Sequence, residues 1–332
     1  MDVQHACEWA PAATGKKAKS EVHSKHLEKI IALCEDDAIV KMTPGEDGLR
    51  LRIGRANILL PYVISEALQI FEDSIASTNE RHVCTLSVEA FRDLIHSVEH
   101  CAGRNDMRPF IKSVYLHPVD GLLVVAATNG FRLATMSSGI DAAEATLEIN
   151  DKGVLLPIES VEPLVAILKT QQGDLTISVM GDKKETRRII FETERFRLVN
   201  SLICGSFPAY LELFKGTGSM TTICVNKVEF EKSLSRLEIV TQRYVRMETE
   251  GTDLKITSTG GNLSHELVSI DSTEPVSMSL DPALMLETIS RMKSTTQRLQ
   301  LPSGKGNGPE KAIIEGVDAD TGWKAMIAGV RQ

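Results

Sequence analysis

The chain has 332 residues, of which 42% are hydrophobic, 5% aromatic and 25% charged, and its formal net charge is −8. That length supports two or three cored domains, and the apolar fraction excludes a disordered chain. No run approaches the roughly 18 apolar residues of a membrane span, and the N-terminus has no apolar signal core. The 6 cysteines include no CxxC pair, which gives no zinc or dithiol motif and suits a reducing cytoplasm, the compartment expected here. The acidic balance argues only weakly against a nucleic-acid partner, because local charge placement governs steering.

Residues 1–21 read as an irregular, flexible leader, with Pro11, Gly15 and the basic KKAK run at Lys16–Lys19; a basic arm for nucleic acid is the alternative. A pattern then begins and recurs. Ser24 reads as a helix cap ahead of Leu27, Ile30, Ile31 and Cys34, followed by strands at Ala38–Met42, Leu49–Ile53 and Asn57–Val63. Ser87 caps a second helix with Val88, Phe91, Leu94, Ile95 and Val98 on one face, with strands at Phe110–Leu116 and Leu122–Ala127 after it. Pro157 opens a third helix bearing Val161, Leu164, Val165 and Leu168, followed by Leu175–Met180, Arg187–Glu192 and Phe196–Leu202. Asn226 caps a fourth, with strands at Tyr244–Thr249, Leu254–Ser258 and His265–Ile270. Asp281-Pro282 starts a fifth, with strands at Arg298–Leu301, Ala312–Val317 and Trp323–Ala328. Each unit spans roughly 50–60 residues, a helix plus about three strands, and two units pair naturally into a domain.

No catalytic constellation stands out. There is no GxxxxGK[ST], HExxH or GxSxG. Gly304, Gly306 and Gly308 read as a mobile hairpin tip, since no strand feeds a helix N-terminus there. His96 and His100 have helical spacing but no third ligand nearby in sequence, so a solvated helix face is favoured over a metal site. An enzyme is the weaker class, and no cofactor is expected.

Two stretches carry more information. Ala126–Ala134, AATNGFRLA, places an Asn129-Gly130 turn between two apolar strands, which taken alone is an ordinary hairpin. Gly205–Phe214, GSFPAYLELF, is a rigid aromatic segment between repeats. Together they resemble the ATDGHRLA and G-x-FP-x-Y segments of the bacterial sliding clamp, the beta subunit of DNA polymerase III. The resemblance runs from Val22 to Gln332 and lacks the first unit of the first domain. It implies an α+β chain of serial helix-plus-antiparallel-strand repeats, the DNA-clamp fold, with two complete domains and a partial N-terminal one. The expected division is a leader at 1–21, a partial first domain at 22–80, a second domain at 81–215 and a third at 216–332.

The resemblance also implies a groove for polymerase and clamp-loader peptides, walled by Ile111, Thr128, Gly130, Phe131, Arg132, Leu133, Pro208, Leu213, Met326, Val330 and Arg331. Phe131 replaces the usual histidine, and Glu212 stands where an arginine is common. Ala328 and Gly329 are smaller than their counterparts, which implies a shallower pocket. Sequence-independent contact with double-stranded DNA is implied for Lys25, Asn105, Arg108, Pro109 and Phe110, with Lys29, Arg104, Lys227, Lys232, Arg236, Arg291 and Lys293 as further cations on the helices and beside that tract. Interspersed Glu89, Asp93, Glu159, Glu162, Glu229 and Glu231 make a mixed solvated surface an equal reading. Head-to-tail homodimerisation is implied through Ile58 and Leu60 against Ile239 and Val240. The expected function is therefore a processivity factor without chemistry of its own. The rival is a clamp-derived peptide-binding module that does not encircle DNA and sequesters clamp partners. A second rival is an enzyme using the Gly304–Gly308 loop.

Overall fold

The computed structural model describes residues 5–9, 22, 24–35, 37–62, 79–139, 153–181, 186–215, 219–260, 263–303, 310–317 and 322–330. The Lys16–Lys19 run, the Gly304–Gly308 loop and Arg331 lie outside the described residues. The chain divides into two units, one comprising residues 10–78 and the other residues 1–9 with 79–332.

The smaller unit holds helix α1 (Ser24–Ile31) and the antiparallel meander β2 (Val40–Pro44), β3 (Gly48–Ile53) and β4 (Ala56–Pro61). Leu49, Leu51 and Leu60 form its core, and Val22, Leu27, Ile30, Val40, Ile58 and Tyr62 pack on them. Ser24, expected as the cap, begins the helix instead.

The larger unit repeats one motif: strand, helix, three-strand meander. Its strands are β1 (His5–Trp9), β5 (Glu80–Ser87), β6 (Ser113–Val119), β7 (Leu122–Thr128), β8 (Arg132–Ser137), β9 (Val154–Pro157), β10 (Asp174–Gly181), β11 (Thr186–Glu192) and β12 (Phe196–Ser201). They continue with β13 (Met220–Asn226), β14 (Val245–Glu250), β15 (Asp253–Ser258), β16 (His265–Ser269), β17 (Ser277–Leu280), β18 (Thr296–Pro302), β19 (Lys311–Gly316) and β20 (Lys324–Ala328). The helices are α2 (Val88–Val98), α3 (Ile158–Leu168), α4 (Lys227–Val240) and α5 (Pro282–Ile289).

Local chemistry sets the helix starts. Ser87 Oγ accepts from the Ala90 amide at 3.1 Å, Asn226 Oδ1 from Glu229 at 3.1 Å, and Asp281 Oδ1 from Ala283 at 2.9 Å with Pro282 as the first helical residue. Apolar residues at three- and four-residue spacing then bury one face: Phe91, Leu94, Ile95 and Val98 on α2, and Phe230, Leu234 and Leu237 on α4. Helix α2 packs on α3, and α4 on α5, so helices pair between successive repeats.

Three findings depart from the expected elements. First, a strand precedes each of α2 to α5 and crosses to the neighbouring repeat's sheet: β5 pairs with β10, β9 with β6, β13 with β18, and β17 with β14. This exchange interlocks the two halves of each pair. Second, the strand expected at Phe110–Leu116 starts only at Ser113. Pro109 fixes φ at its position and opens a single 3-10 turn over Pro109–Lys112. Third, the leader expected to be irregular contains β1, which pairs antiparallel with β12 from His5↔Asn200 to Trp9↔Phe196. Backbone pairing along an open sheet edge there outweighs the absence of an obvious strand signal in HACEW.

The sheets join in a regular way. Strand order is β13-β18-β19-β20-β8-β7-β6-β9 in an 8-stranded sheet, β1-β12-β11-β10-β5 in a second, and β16-β15-β14-β17 in a third. The third strand of one meander, β20, meets the third strand of another, β8, with Met326 opposite Leu133 and Ile327 opposite Arg132. Residues 215 and 216, the expected second boundary, precede β13, which belongs to this continuous sheet.

Candidate peptide groove and its surroundings

The Thr128–Arg132 turn is built by its own polar side chains. Thr128 Oγ1 donates to the Arg132 carbonyl at 2.8 Å and accepts from the Gly130 amide at 3.1 Å. Asn129 Oδ1 accepts from the amides of Phe131 at 2.9 Å and Arg132 at 3.0 Å. Gly130 takes φ +88°, a left-handed conformation that glycine adopts without strain. The turn thus consumes Thr128, which is buried, and thrusts Phe131 out, 66% exposed.

Arg132 and Leu133 point inward. Leu133 is 1% exposed, in a cluster with Tyr115, Ala126, Leu155 and Tyr210, against which Phe110, Ile203, Phe207, Phe214 and Met326 pack. The Arg132 guanidinium bonds Glu287 of α5 at 2.7 Å through Nη1 and donates through Nη2 to the His100 carbonyl. It is a structural cation joining α5 to the end of α2, where Trp323 Nε1 also donates to the Ser97 carbonyl at 3.1 Å. Ile111 is fully buried, with Cδ1 lying 3.9 Å from where a Gly130 side chain would start.

The accessible hollow lies beside this cluster. A groove of about 320 Å³ is lined by Tyr115, His117 and the run Phe207–Glu212. Its floor is aromatic: Phe207 stacks on Tyr115 with centroids 4.6 Å apart, and Tyr115 stacks on His117 at 4.4 Å. Phe110 meets Phe207 edge-on at 6.2 Å. His117 Nε2 and Tyr210 Oη share a hydrogen bond of 2.6 Å. Burial pushes the His117 pKa down to about 4 and the Tyr210 pKa up to about 12, so both are neutral around pH 7. Leu211 and Leu213 stand 48% and 41% exposed.

Of the expected wall residues, Pro208 lines this groove, Leu133 and Met326 sit in the adjoining apolar cluster, and Phe131 and Leu213 offer exposed apolar surface. Thr128, Arg132, Leu133 and Ile111 are buried and show a ligand almost no area. Val330 is tied by its amide to the Ser279 carbonyl at 2.8 Å, and Lys311 Nζ donates to the Leu213 and Lys215 carbonyls. The sequence reading missed Tyr115, His117 and Glu287. Their only signal is three-dimensional, since Tyr210 lies 93 residues from His117.

The expected DNA-facing cations mostly hold carboxylates. Arg108 bonds Asp106 at 2.9 Å and 3.0 Å, with its guanidinium 5.9 Å from the Phe110 ring centre. That pair holds the Asp106 carboxyl down at about 2. Arg104 pairs with Glu162 at 2.6 Å, Arg236 with Glu266 at 2.6 Å and Lys293 with Asp93 at 2.5 Å. His96 lies 3.0 Å from Arg291 and 3.3 Å from Glu99, and His100 is buried beside Cys101. Among the described residues no cluster of three or more His, Cys, Asp or Glu could hold a metal, and no helix is long and apolar enough to cross a membrane.

At the expected subunit contact, Ile239 is 83% exposed and Val240 49%. Leu60 instead faces the core of its own small unit, with Ile58 packed against that core, because the strand alternates and Leu59 takes the outer face.

Residues 85–209 match the family model described as DNA polymerase III beta subunit, central domain. The beta sliding clamp of Buchnera aphidicola subsp. Rhopalosiphum padi is 23% identical over 293 residues, 84% of this chain and 75% of that one. The Haemophilus influenzae clamp is 21% identical over 310 residues, 91% of this chain and 80% of its own. The crystal structure of the DNA polymerase III subunit beta from Pseudomonas aeruginosa superposes with a TM-score of 0.78 at 18% identity, covering 100% of this chain and 91% of that one. The chain has the fold of the bacterial sliding clamps, and its residues 85–209 match the DNA polymerase III beta-subunit central domain.

Proposed function

We propose that this chain works as a sliding clamp in bacterial DNA replication, tethering DNA polymerase III to double-stranded DNA in the cytoplasm without chemistry of its own. Tethering raises the effective concentration of polymerase at the primer end, so no catalytic group is required. The observation that carries the reading is the β8–β20 junction, where third strands of two repeats pair edge to edge. The same rule applied to the other sheets leaves β16 and β4 as edge strands, the complementary ends of a head-to-tail chain. A second copy placed on those edges closes a homodimer, with Ile239, Val240 and Leu267 of one copy facing Leu59 of the other.

The polymerase and clamp-loader peptides are assigned to the groove at Tyr115, His117 and Phe207–Glu212 and to the neighbouring apolar surface of Phe131 and Leu213. A short peptide with one or two apolar anchors would bind on the order of micromolar. DNA contact is assigned to Lys25, Lys29, Asn105, Arg104 and Arg108. It would be weak and salt-sensitive, because phosphates must compete with Asp106 and Glu162 for two of those cations.

Fluorescence polarisation with a labelled peptide from the clamp-binding segment of a DNA polymerase III alpha subunit tests the groove. Leu211→Glu, at a half-exposed lining position, should weaken binding at least about tenfold, the loss of roughly one apolar anchor. Unchanged affinity would remove the groove from the peptide site.

A further inference from the structure

We propose that Lys311 is a positioning residue of the groove: from strand β19 its ammonium holds the 3-10 turn Tyr210–Phe214, so that Leu211 and Leu213 stand at a set distance from Phe131. This rests on the groove being the peptide site. The turn is fixed at its start by packing, where Tyr210 is buried and meets His117 at 2.6 Å. Beyond Tyr210 that packing gives out, and Leu211, Glu212 and Leu213 are exposed. The amides of Tyr210, Glu212 and Lys215 bond only within the segment, to the Pro208, Ala209 and Glu212 carbonyls. Among the described residues, no backbone-to-backbone hydrogen bond joins residues 204–215 to another segment.

Lys311 supplies the missing tie. It opens β19, and its Nζ donates to the Leu213 carbonyl and, at 3.0 Å, to the Lys215 carbonyl. The last carbonyls of a helical turn have no partner within it, and a basic side chain is one way to satisfy them. The cation is committed to this task. Arg104, Arg108, Arg236 and Lys293 each pair with a carboxylate, whereas Lys311, among the described residues, pairs with none. Partial burial against the turn pushes its pKa down. The sheet then links the two apolar surfaces. Lys311 lies opposite Ala328, and the Ala328 amide donates to the Phe131 carbonyl at 2.8 Å. One row across the strands therefore carries both Phe131 and the lysine that holds Leu213. A peptide with two apolar anchors reads the gap between those surfaces. A turn free to shift would have to be ordered on binding, which weakens affinity.

Two substitutions in the full chain test this. Lys311→Met keeps most of the stem and removes the donors, while Lys311→Arg keeps donors for the same carbonyls. With the labelled alpha-subunit peptide, Lys311→Met should weaken binding about fivefold, mainly through faster dissociation, and Lys311→Arg should stay within about twofold of the unaltered chain. The ratio of the Lys311→Met and unaltered affinities should hold from about 0.1 M to about 1 M salt, since the lysine acts on the turn and not on the peptide. In the free protein, hydrogen exchange at the Glu212 and Lys215 amides should rise about threefold or more in Lys311→Met, with β8 and β20 unchanged and the urea midpoint retained. Unchanged exchange, or unchanged peptide affinity beside a loss in Leu211→Glu, would overturn the positioning role and leave the groove as the peptide site. A ratio that vanishes at high salt would make Lys311 a charge contact to the peptide, and a lowered urea midpoint would make it a residue of the fold; either overturns the role. No loss in Leu211→Glu would remove the groove and the positioning role together.

Discussion

At the residue scale, the groove is governed by groups that are neutral because they are buried. His117 and His100 have pKa values lowered to about 4 and about 3 by desolvation, from an ordinary value of 6.5. Between pH 6.5 and about 4 the unfolded chain binds protons that the folded chain refuses. Stability is therefore complete above pH 6.5 and falls as pH drops through that window. Thermal melts from pH 7 to 4.5 should show this fall, and His117→Asn should show less of it; a flat profile would contradict burial of both rings. Tyr210→Phe removes the hydroxyl that meets His117 at 2.6 Å and Thr135 at 3.4 Å, and should cost about 1–2 kcal/mol of unfolding free energy in urea titration. Arg132→Ala strips the buried cation from the His100 carbonyl and Glu287, with an expected loss of about 2 kcal/mol. Arg132→Lys should recover less than half of it, since a single ammonium cannot serve both acceptors in the geometry of the guanidinium fork. The Arg132 result separates a structural cation from one held ready for a ligand. A residue spared for binding would be removed at little cost to stability.

At the scale of elements, the caps and apolar stripes of α2, α4 and α5 were legible in sequence because their determinants are local: Ser87, Asn226 and Asp281-Pro282 each act within three residues. The strands before the helices were not. A four-residue run such as Val154–Pro157 has no period of its own, and its partner strand begins 41 positions earlier at Ser113. The Pro109 turn was misread for the opposite reason, since Phe110–Leu116 is apolar enough for a strand while the proline locally forbids one. The approach to β9 supplies a sharp test. Gly153 takes φ +66°, and a side chain there would start 2.6 Å from the Leu116 carbonyl oxygen. Gly153→Ala should therefore destabilise the chain by more than about 1 kcal/mol, whereas Gly173→Ala, at φ +87° in open space, pays only the left-handed backbone strain. Equal costs, measured by urea unfolding, would contradict the crowding at β9.

At the scale of the whole molecule, serial repetition was readable from recurring helix-plus-strand spacing, and the clamp resemblance from AATNGFRLA and GSFPAYLELF. The accessible groove was not readable, because burial of Ile111 and Leu133 and exposure of Phe131 depend on packing between segments far apart in sequence. Neither was the part played by Leu60, which alternation turns into its own core. The head-to-tail dimer makes its own demand: Leu267→Arg, at a 47% exposed position on the β16 edge, should shift the sedimentation profile from two-subunit particles to single chains. The most direct measurement of the central claim is retention on DNA after loading by a clamp loader and ATP. The protein should stay on closed circular plasmid through a high-salt wash and be lost when the plasmid is linearised, because a ring slides off an end but not off a circle. Equal loss from circular and linear DNA would contradict a clamp that encircles its substrate.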